Sequence, residues 1–211
     1  MTKTNLDLII FIGGIFIDEY LIYKNEISPA ANRWQKGFIE GLLLNNIDVK
    51  IISNIPERVW PYGSFYVNSN NSSFFSKNTS EINYLNLPFL KRIFICVKLL
   101  SKFFMLYKKS KKPICVITYN GAIDNTFASY FIQKFFKVKW IDLCADHFDP
   151  KKNWSNYNFL AKKAWGHIFL SNYAYKNGPF DKKYILEGGF NIKSYIKSPK
   201  NKNFTILYSG M

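Results

Sequence analysis

Short apolar runs ending in glycine or polar residues alternate with longer segments of helical spacing along this chain. The first run, Leu8-Ile9-Ile10-Phe11-Ile12, is rich in β-branched residues and ends at Gly13-Gly14. It reads as a buried parallel strand. Residues 15–27 form a longer connection than a tight strand-to-helix turn needs. Ser28 then suits an N-cap, and Pro29 suits the first helical position, where a missing N–H costs nothing. Ala31, Trp34, Phe38 and Leu42 follow at helical spacing, the helix ends near Asn45-Asn46, and Val49-Lys50-Ile51-Ile52-Ser53 is a second strand. Asp7 to Ser53 is thus a strand–helix–strand unit, and the later segments repeat it.

Residues 54–87 are less regular, punctuated by Pro56, Pro61 and Gly63. Short strands are expected at Phe65-Tyr66-Val67 and from Glu81 to Leu85, with the polar run Asn68 to Ser80 as a surface loop. Pro88 to Lys112 is a long helix. Pro113 to Thr118 is a strand that turns at Tyr119-Asn120-Gly121. A helix over Asp124 to Phe136 follows, with Phe127, Phe131, Ile132 and Phe135 on its apolar side. Val138 to Leu143 is the next strand, ending at Ala145-Asp146-His147, and Asn158 to Ala164 is helical. His167 to Leu170 and Tyr184 to Glu187 are strands, followed by Ser171-Asn172 and Gly188-Gly189 respectively.

This alternation predicts an α/β domain over residues 1–196, a Rossmann-like open parallel sheet with helices on both faces. Ligands in such sheets bind at the C-terminal ends of the strands. Residues 197–203 read as a linker, and Phe204 to Tyr208, turning at Ser209-Gly210, reads as the first strand of a further domain, so 197–211 is set apart.

The helix at 88–112 carries Lys91, Lys98, Lys102 and Lys109 in one narrow sector of its wheel, with mostly Leu, Ile, Phe, Val or Met around the rest. Two readings stand: a core helix with one solvated stripe, or an interfacial helix lying on anionic lipid with its lysines at headgroup level. The net charge of +15, from 29 Lys+Arg against 14 Asp+Glu, favours anionic partners. The abundance of Lys, Asn, Ile, Phe and Tyr equally fits an AT-rich coding sequence.

Cys96, Cys115 and Cys144 lie in apolar segments without a CxxC pair, as reduced, buried cytosolic thiols would. Leu8 to Ile17 is split by Gly13-Gly14 and followed by Asp18-Glu19, which argues against a signal peptide. No uncharged apolar run approaches the ~18 residues a spanning helix needs. A cytoplasmic location follows, with peripheral attachment to the inner membrane face under the interfacial reading.

The chemistry belongs to the strand ends. Gly13-Gly14 permits close backbone approach, and its N–H groups could cradle a phosphate. GxGxxG, GxSxG, the P-loop, RNP-type aromatics and zinc-finger spacing are all missing. Asp146-His147 reads as a metal site, as a general base or as locally bonded loop residues, and the lack of a second nearby His or a DxD disfavours the metal. His167, at the start of an apolar strand, reads as structural.

In order along the chain, these segments resemble the N-terminal, acceptor-side domain of GT-B glycosyltransferases, specifically glycosyltransferase family 4. The resemblance lies in Gly13-Gly14, in the helix from Ser28 to Leu42, and in the strand Asp48 to Ser53. It continues in Ile117-Thr118-Tyr119-Asn120, in Trp140 to Asp146, in Leu186-Glu187-Gly188-Gly189-Phe190-Asn191, and in Leu207-Tyr208-Ser209-Gly210. It implies transfer of a sugar from a nucleotide-sugar to a glycan or lipid-linked acceptor in surface polysaccharide assembly, with retention and without cofactor or metal. It further implies Gly13, Gly14, Ser209 and Gly210 at the donor diphosphate, and Asp146 and His147 as catalytic residues. Ser28, Asn32, Asn120, Ser171 and Asn172 would lie at the acceptor. The nucleotide-sugar domain is expected beyond Met211, so the 211-residue chain is expected to bind donor poorly and turn over little alone. Two other classes are kept beside this one: a non-catalytic interaction module that retains the fold, and a basic α/β nucleic-acid-binding protein. Nucleic acid is not the expected partner.

Overall fold

The structure, a computed structural model, describes residues 8–17, 28–69, 74–110, 114–145 and 159–186. The strands β1 (Leu8–Ile12), β2 (Val49–Ser53), β4 (Thr79–Glu81), β6 (Ile114–Tyr119), β7 (Lys139–Cys144), β8 (Gly166–Phe169) and β9 (Lys183–Ile185) form one sheet in the order β4-β2-β1-β6-β7-β8-β9. Every neighbouring pair in it is parallel. The Rossmann-like parallel sheet expected from the alternation is therefore what the chain adopts.

Both faces of the sheet are covered, and the alternation of side chains along each strand decides which helix takes which face. Ile9 and Phe11 of β1 pack with Val49, Ile51, Cys115 and Ile117 against Trp34, Phe38, Ile39 and Leu42 of α1 (Pro29–Leu44). Leu8, Ile10 and Ile12 point the other way. They join Ile52, Val116 and Trp140 against Ile95, Leu99 and Phe103 of α2 (Leu90–Lys109) and against Ala128 and Ile132 of α3 (Ile123–Phe136). A short α4 (Asn172–Asn177) follows β8, capped by the Ser171 hydroxyl, which accepts from the Ala174 N–H. Among the described residues no helix is long and apolar enough to cross a membrane.

Four local expectations are corrected. The segment 65–85 does not give two independent strands. Tyr66–Val67 (β3) and Tyr84–Leu85 (β5) pair with each other as an antiparallel ribbon, while Thr79–Glu81 extends the main sheet beside β2. The polar run at 68–80 is not wholly a surface loop: Ser69 is buried, its hydroxyl donating to the Ile82 carbonyl and its N–H to Asn83 Oδ1. Of the segment expected as helical over 158–164, only the 3₁₀ turn Ala161–Lys163 forms among the described residues. The long helix spans 90–109 rather than 88–112.

A fifth correction, beyond these four, concerns α3. Ile132 is buried, but it shares the sheet-facing side with Asn125, Thr126, Ala128 and Ser129. Phe127 and Phe135 face solvent. Small side chains let α3 lie close to the sheet, and the bulky rings are displaced outward.

His167 takes the structural role its position suggested. Its ring is buried, stacks on Phe180 at 3.7 Å between centroids, and shares a 3.1 Å hydrogen bond with the Ala161 carbonyl. Burial holds its pKa down, at about 4.

Candidate functional site

From β1 the chain builds the sheet in one direction through β2 and β4, and then in the other through β6 to β9. The loops leaving β1 and β6 at their C-terminal ends therefore diverge and open a crevice, the position where open α/β sheets bind ligands. A crevice of about 400 Å³ occupies that place. It is lined by Gly13, Gly14 and Phe16 after β1, by Ser28, Asn32 and Gln35 of the α1 start, and by Asn54 to Arg58 after β2. Tyr84, Lys91, Tyr119, Asp124 and Asn125 complete it.

The glycine pair is there for space. A Cβ on Gly13 would come within 2.7 Å of the Phe11 ring and 2.8 Å of Gln35 Oε1, and one on Gly14 within 2.3 Å of the Phe16 ring. Neither has a positive φ. The Gly13 N–H donates to the Ile52 carbonyl at 3.2 Å, continuing the ladder between β1 and β2. That amide is thus engaged by the fold, which narrows the phosphate-cradle expectation to Gly14.

The wall formed by residues 54–58 has no helix or sheet ladder of its own, and its carbonyls are held by side chains instead. The Tyr84 hydroxyl donates to the Ile55 carbonyl at 2.6 Å, Lys91 Nζ to the Glu57 carbonyl at 2.6 Å, and Asn86 Nδ2 to the carbonyls of Arg58 and Ser64 at 2.5 and 2.8 Å. These bonds fix the loop that forms this wall of the crevice.

On the far side, the turn after β6 is fixed from beneath. Asn120 and Gly121 both adopt positive φ, 60° and 56°. The buried Asp142 carboxylate of β7 accepts from the Thr118 hydroxyl and from the Gly121 N–H, and the Trp140 indole N–H donates to the Thr118 hydroxyl at 2.8 Å. This network sets where α3 begins and so where Asp124 and Asn125 sit.

Two features give the crevice its chemistry. The first is a charged group at its floor. Asp124 has Arg92 Nε 3.7 Å away, and burial, only partly opposed by Lys91 and Arg92, raises its pKa above the usual carboxylate value. Lys91 is shifted down, chiefly by its own burial. The second is a pair of amide oxygens, Gln35 Oε1 and Asn125 Oδ1. Both are buried, and among the described residues neither has a hydrogen-bond partner. Ser53 Oγ, Asn86 Oδ1 and Ser129 Oγ are in the same state, but of these five residues only Gln35 and Asn125 line the crevice, where a donor from outside would offset the cost of a buried acceptor.

Of the residues expected at the site, Gly13, Gly14, Ser28 and Asn32 do line the crevice. Ser28 also caps α1, accepting from the Ala31 N–H at 3.3 Å. Asn120 stands at the adjoining turn, its amide oxygen accepting from the Ala145 N–H. Ser171 and Asn172 follow β8, the third neighbour of β1 on that side, roughly 14 Å across the sheet, and are not among the lining residues. Asp146, His147, Gly188, Gly189, Ser209 and Gly210, with the proposed boundary at 197–211, lie outside the described residues. Lys91, Asp124, Asn125 and Gln35 were not singled out as site residues. For Asp124 and Asn125 a signal existed: an acid and an amide in the first helical turn after a strand-end Asn-Gly.

No protein-family model matches the chain, and no curated protein matches it. Among solved structures, it is similar to an "alpha-glucosyltransferase in complex with UDP and a 13-mer DNA containing a central A:G mismatch", with 9% identity, TM-score 0.46, and 84% of this chain against 40% of that one. It is also similar to an "alpha-glucosyltransferase in complex with UDP-glucose and DNA containing an abasic site", with 9% identity, TM-score 0.42, and 85% of this chain against 42% of that one. The chain thus spans about two fifths of the length of those two proteins.

Proposed function

We propose that this chain is the acceptor-side half of a GT-B-type sugar transferase, and that the crevice between β1 and β6 holds a saccharide acceptor. The observation that carries this reading is the pair of partnerless acceptors, Gln35 Oε1 and Asn125 Oδ1, in a pre-shaped crevice beside a proton-hungry Asp124. Hydroxyl groups supply the donors that amide oxygens and a carboxylate require. In this reading the two amides orient the sugar and Asp124 accepts the hydrogen of the hydroxyl that receives the new glycosidic bond. The donor's diphosphate needs cations or free N–H groups. Among the described residues Lys91 is tied to the Glu57 carbonyl and Gly13 to Ile52, which leaves Gly14 and Arg58 as the crevice's own groups for it. The nucleotide-sugar is held mainly from outside the described residues, and the acceptor is a glycan or lipid-linked saccharide of surface polysaccharide assembly. Work on a lipid-linked acceptor puts the protein at the cytoplasmic face of a membrane.

Calorimetric titration with a panel of neutral oligosaccharides and nucleotide-sugars tests this. At least one oligosaccharide binds the wild type, nucleotide-sugars bind more weakly, and Asn125→Leu weakens the saccharide by about tenfold, the worth of one to two buried hydrogen bonds. Failure of every saccharide to bind, or binding unchanged in Asn125→Leu, overturns the proposal.

A further inference from the structure

On α2 the residues buried against the sheet are Ile95, Leu99 and Phe103. A helix of a soluble protein normally turns polar residues to the opposite side. Here that side carries Ile93 and Val97, 59% and 58% exposed, with Phe104 further along the same sector. The four-lysine sector seen in the sequence lies elsewhere: Lys91 and Lys102 are half-buried, close in angle to the core-facing residues. Lys98 and Lys109 of the same sector are exposed, so the stripe is only partly solvated. The outermost face is mainly apolar, with Lys108 within it and Lys98 beside it.

The same holds on α3. Phe127, Phe131 and Phe135 form a ladder of rings, 6.0 and 5.9 Å between successive centroids, and Phe135 is 68% exposed. The two helices lie side by side. Arg92 meets Asp124 at one end and Phe104 meets Phe136, 6.2 Å between centroids, at the other, so the two apolar sectors border one seam.

We infer that this two-helix face is a docking surface for an anionic lipid bilayer. Its charge decides the occupant. The exposed cations of α2 and α3 are Lys98, Lys108, Lys109, Lys134 and Arg92, the last paired with Asp124, the one acid of the two helices. Lys108 Nζ lies 4.4 Å over the Phe104 ring and Lys134 Nζ 5.9 Å from the Tyr130 centroid, so ammonium heads sit beside the apolar surface on flexible stems. A bilayer with anionic headgroups satisfies both components at once, with the rings and aliphatic groups below the headgroups and the ammoniums among them. A second copy of the chain would bring two cationic rims together. A nucleic acid would leave the apolar centre wet. The face also runs to the mouth of the crevice, because Leu90 adjoins Lys91 and Ile123 adjoins Asp124 in sequence, and both of those line it. Docking would present the crevice to a headgroup-linked ligand. The docking surface stands on the exposed residues alone, independently of the sugar-transfer reading.

The test is co-sedimentation with phosphatidylcholine vesicles, with and without phosphatidylglycerol, for the wild type, for Ile93→Ser/Val97→Ser/Phe135→Ser and for Lys98→Glu/Lys108→Glu. All five positions are at the surface, and unchanged near-ultraviolet circular dichroism verifies the fold. The wild type sediments with the anionic vesicles and not with phosphatidylcholine alone, and each variant loses binding by about tenfold or more. Equal sedimentation of wild type and variants overturns the inference. So does self-association of the wild type that the serine variant abolishes, or tight binding of a DNA oligonucleotide with no binding to anionic vesicles. Saccharide titration of the serine variant separates the two proposals, because its crevice is untouched.

Discussion

Asn32 holds Phe16 by both halves of its backbone: the Asn32 amide oxygen accepts from the Phe16 N–H at 2.8 Å, and its amide nitrogen donates to the Phe16 carbonyl at 3.0 Å. One buried side chain of α1 thereby imitates a strand partner for the segment leaving β1. Asn32→Leu withdraws both bonds in a buried setting and should cost about 2–3 kcal/mol in urea unfolding. Asn32→Asp keeps the acceptor and loses the donor, so it should also be destabilised. A wild-type midpoint for Asn32→Leu would contradict this positioning role.

Gly13→Ala and Gly14→Ala should each destabilise by about 1–3 kcal/mol through overpacking, with no contribution from backbone φ. The cause is separable. Because the Gly14 clash is with the Phe16 ring, the cost of Gly14→Ala should shrink in a Phe16→Leu background. An additive double-mutant cycle would refute the steric explanation.

The neutral, buried His167 should make stability fall as the pH drops. Its folded pKa of about 4 lies below the ordinary 6.5, so its contribution is complete above 6.5 and is lost as the pH falls towards 4. The full shift corresponds to about 3 kcal/mol. His167→Phe should lose some stability at neutral pH and lose less than the wild type on acidification over that window, measured as the difference between their unfolding free energies. Parallel pH profiles would contradict the assignment.

Asp124 has the opposite sign. Burial raises its folded pKa above 3.8, so folding favours the protonated acid; that contribution is present below 3.8 and is lost as the pH rises through the folded value. Asp124→Asn, neutral throughout, should therefore unfold at higher urea than the wild type near neutral pH. The difference should vanish below the ordinary aspartate value. A destabilised Asp124→Asn at neutral pH would mean that the Arg92 pair outweighs the burial cost.

The sheet was legible because its strands advertise themselves: Leu8–Ile12, Ile114–Tyr119 and Lys139–Cys144 are apolar runs with turn residues behind them. Ser28-Pro29 placed the start of α1 to the residue. What composition hid was direction. The rings of α3 share a wheel sector with the apolar content expected inside, yet Ala128 and Ser129 take the sheet side because they are small. At the crevice, the glycine turn and Asn32 could be found from position, whereas Gln35, Lys91 and Asp124 acquire meaning only when β1, β2 and β6 bring distant segments together. Tyr84, Asn86 and Lys91 reach back to carbonyls between Ile55 and Ser64, and no local pattern announces such bonds.

The sugar-transfer proposal requires the crevice between β1 and β6 to receive saccharide hydroxyls. The most direct measurement is a ¹⁵N–¹H spectrum of the labelled protein, titrated with the tightest oligosaccharide from the calorimetric panel and followed at the side-chain NH₂ signals of Gln35 and Asn125. Saturable shifts of both signals are expected, together with shifts of the backbone amides of Gly14 and Asp124. Shifts confined to other parts of the molecule, with these side-chain amides unmoved at saturation, would contradict it.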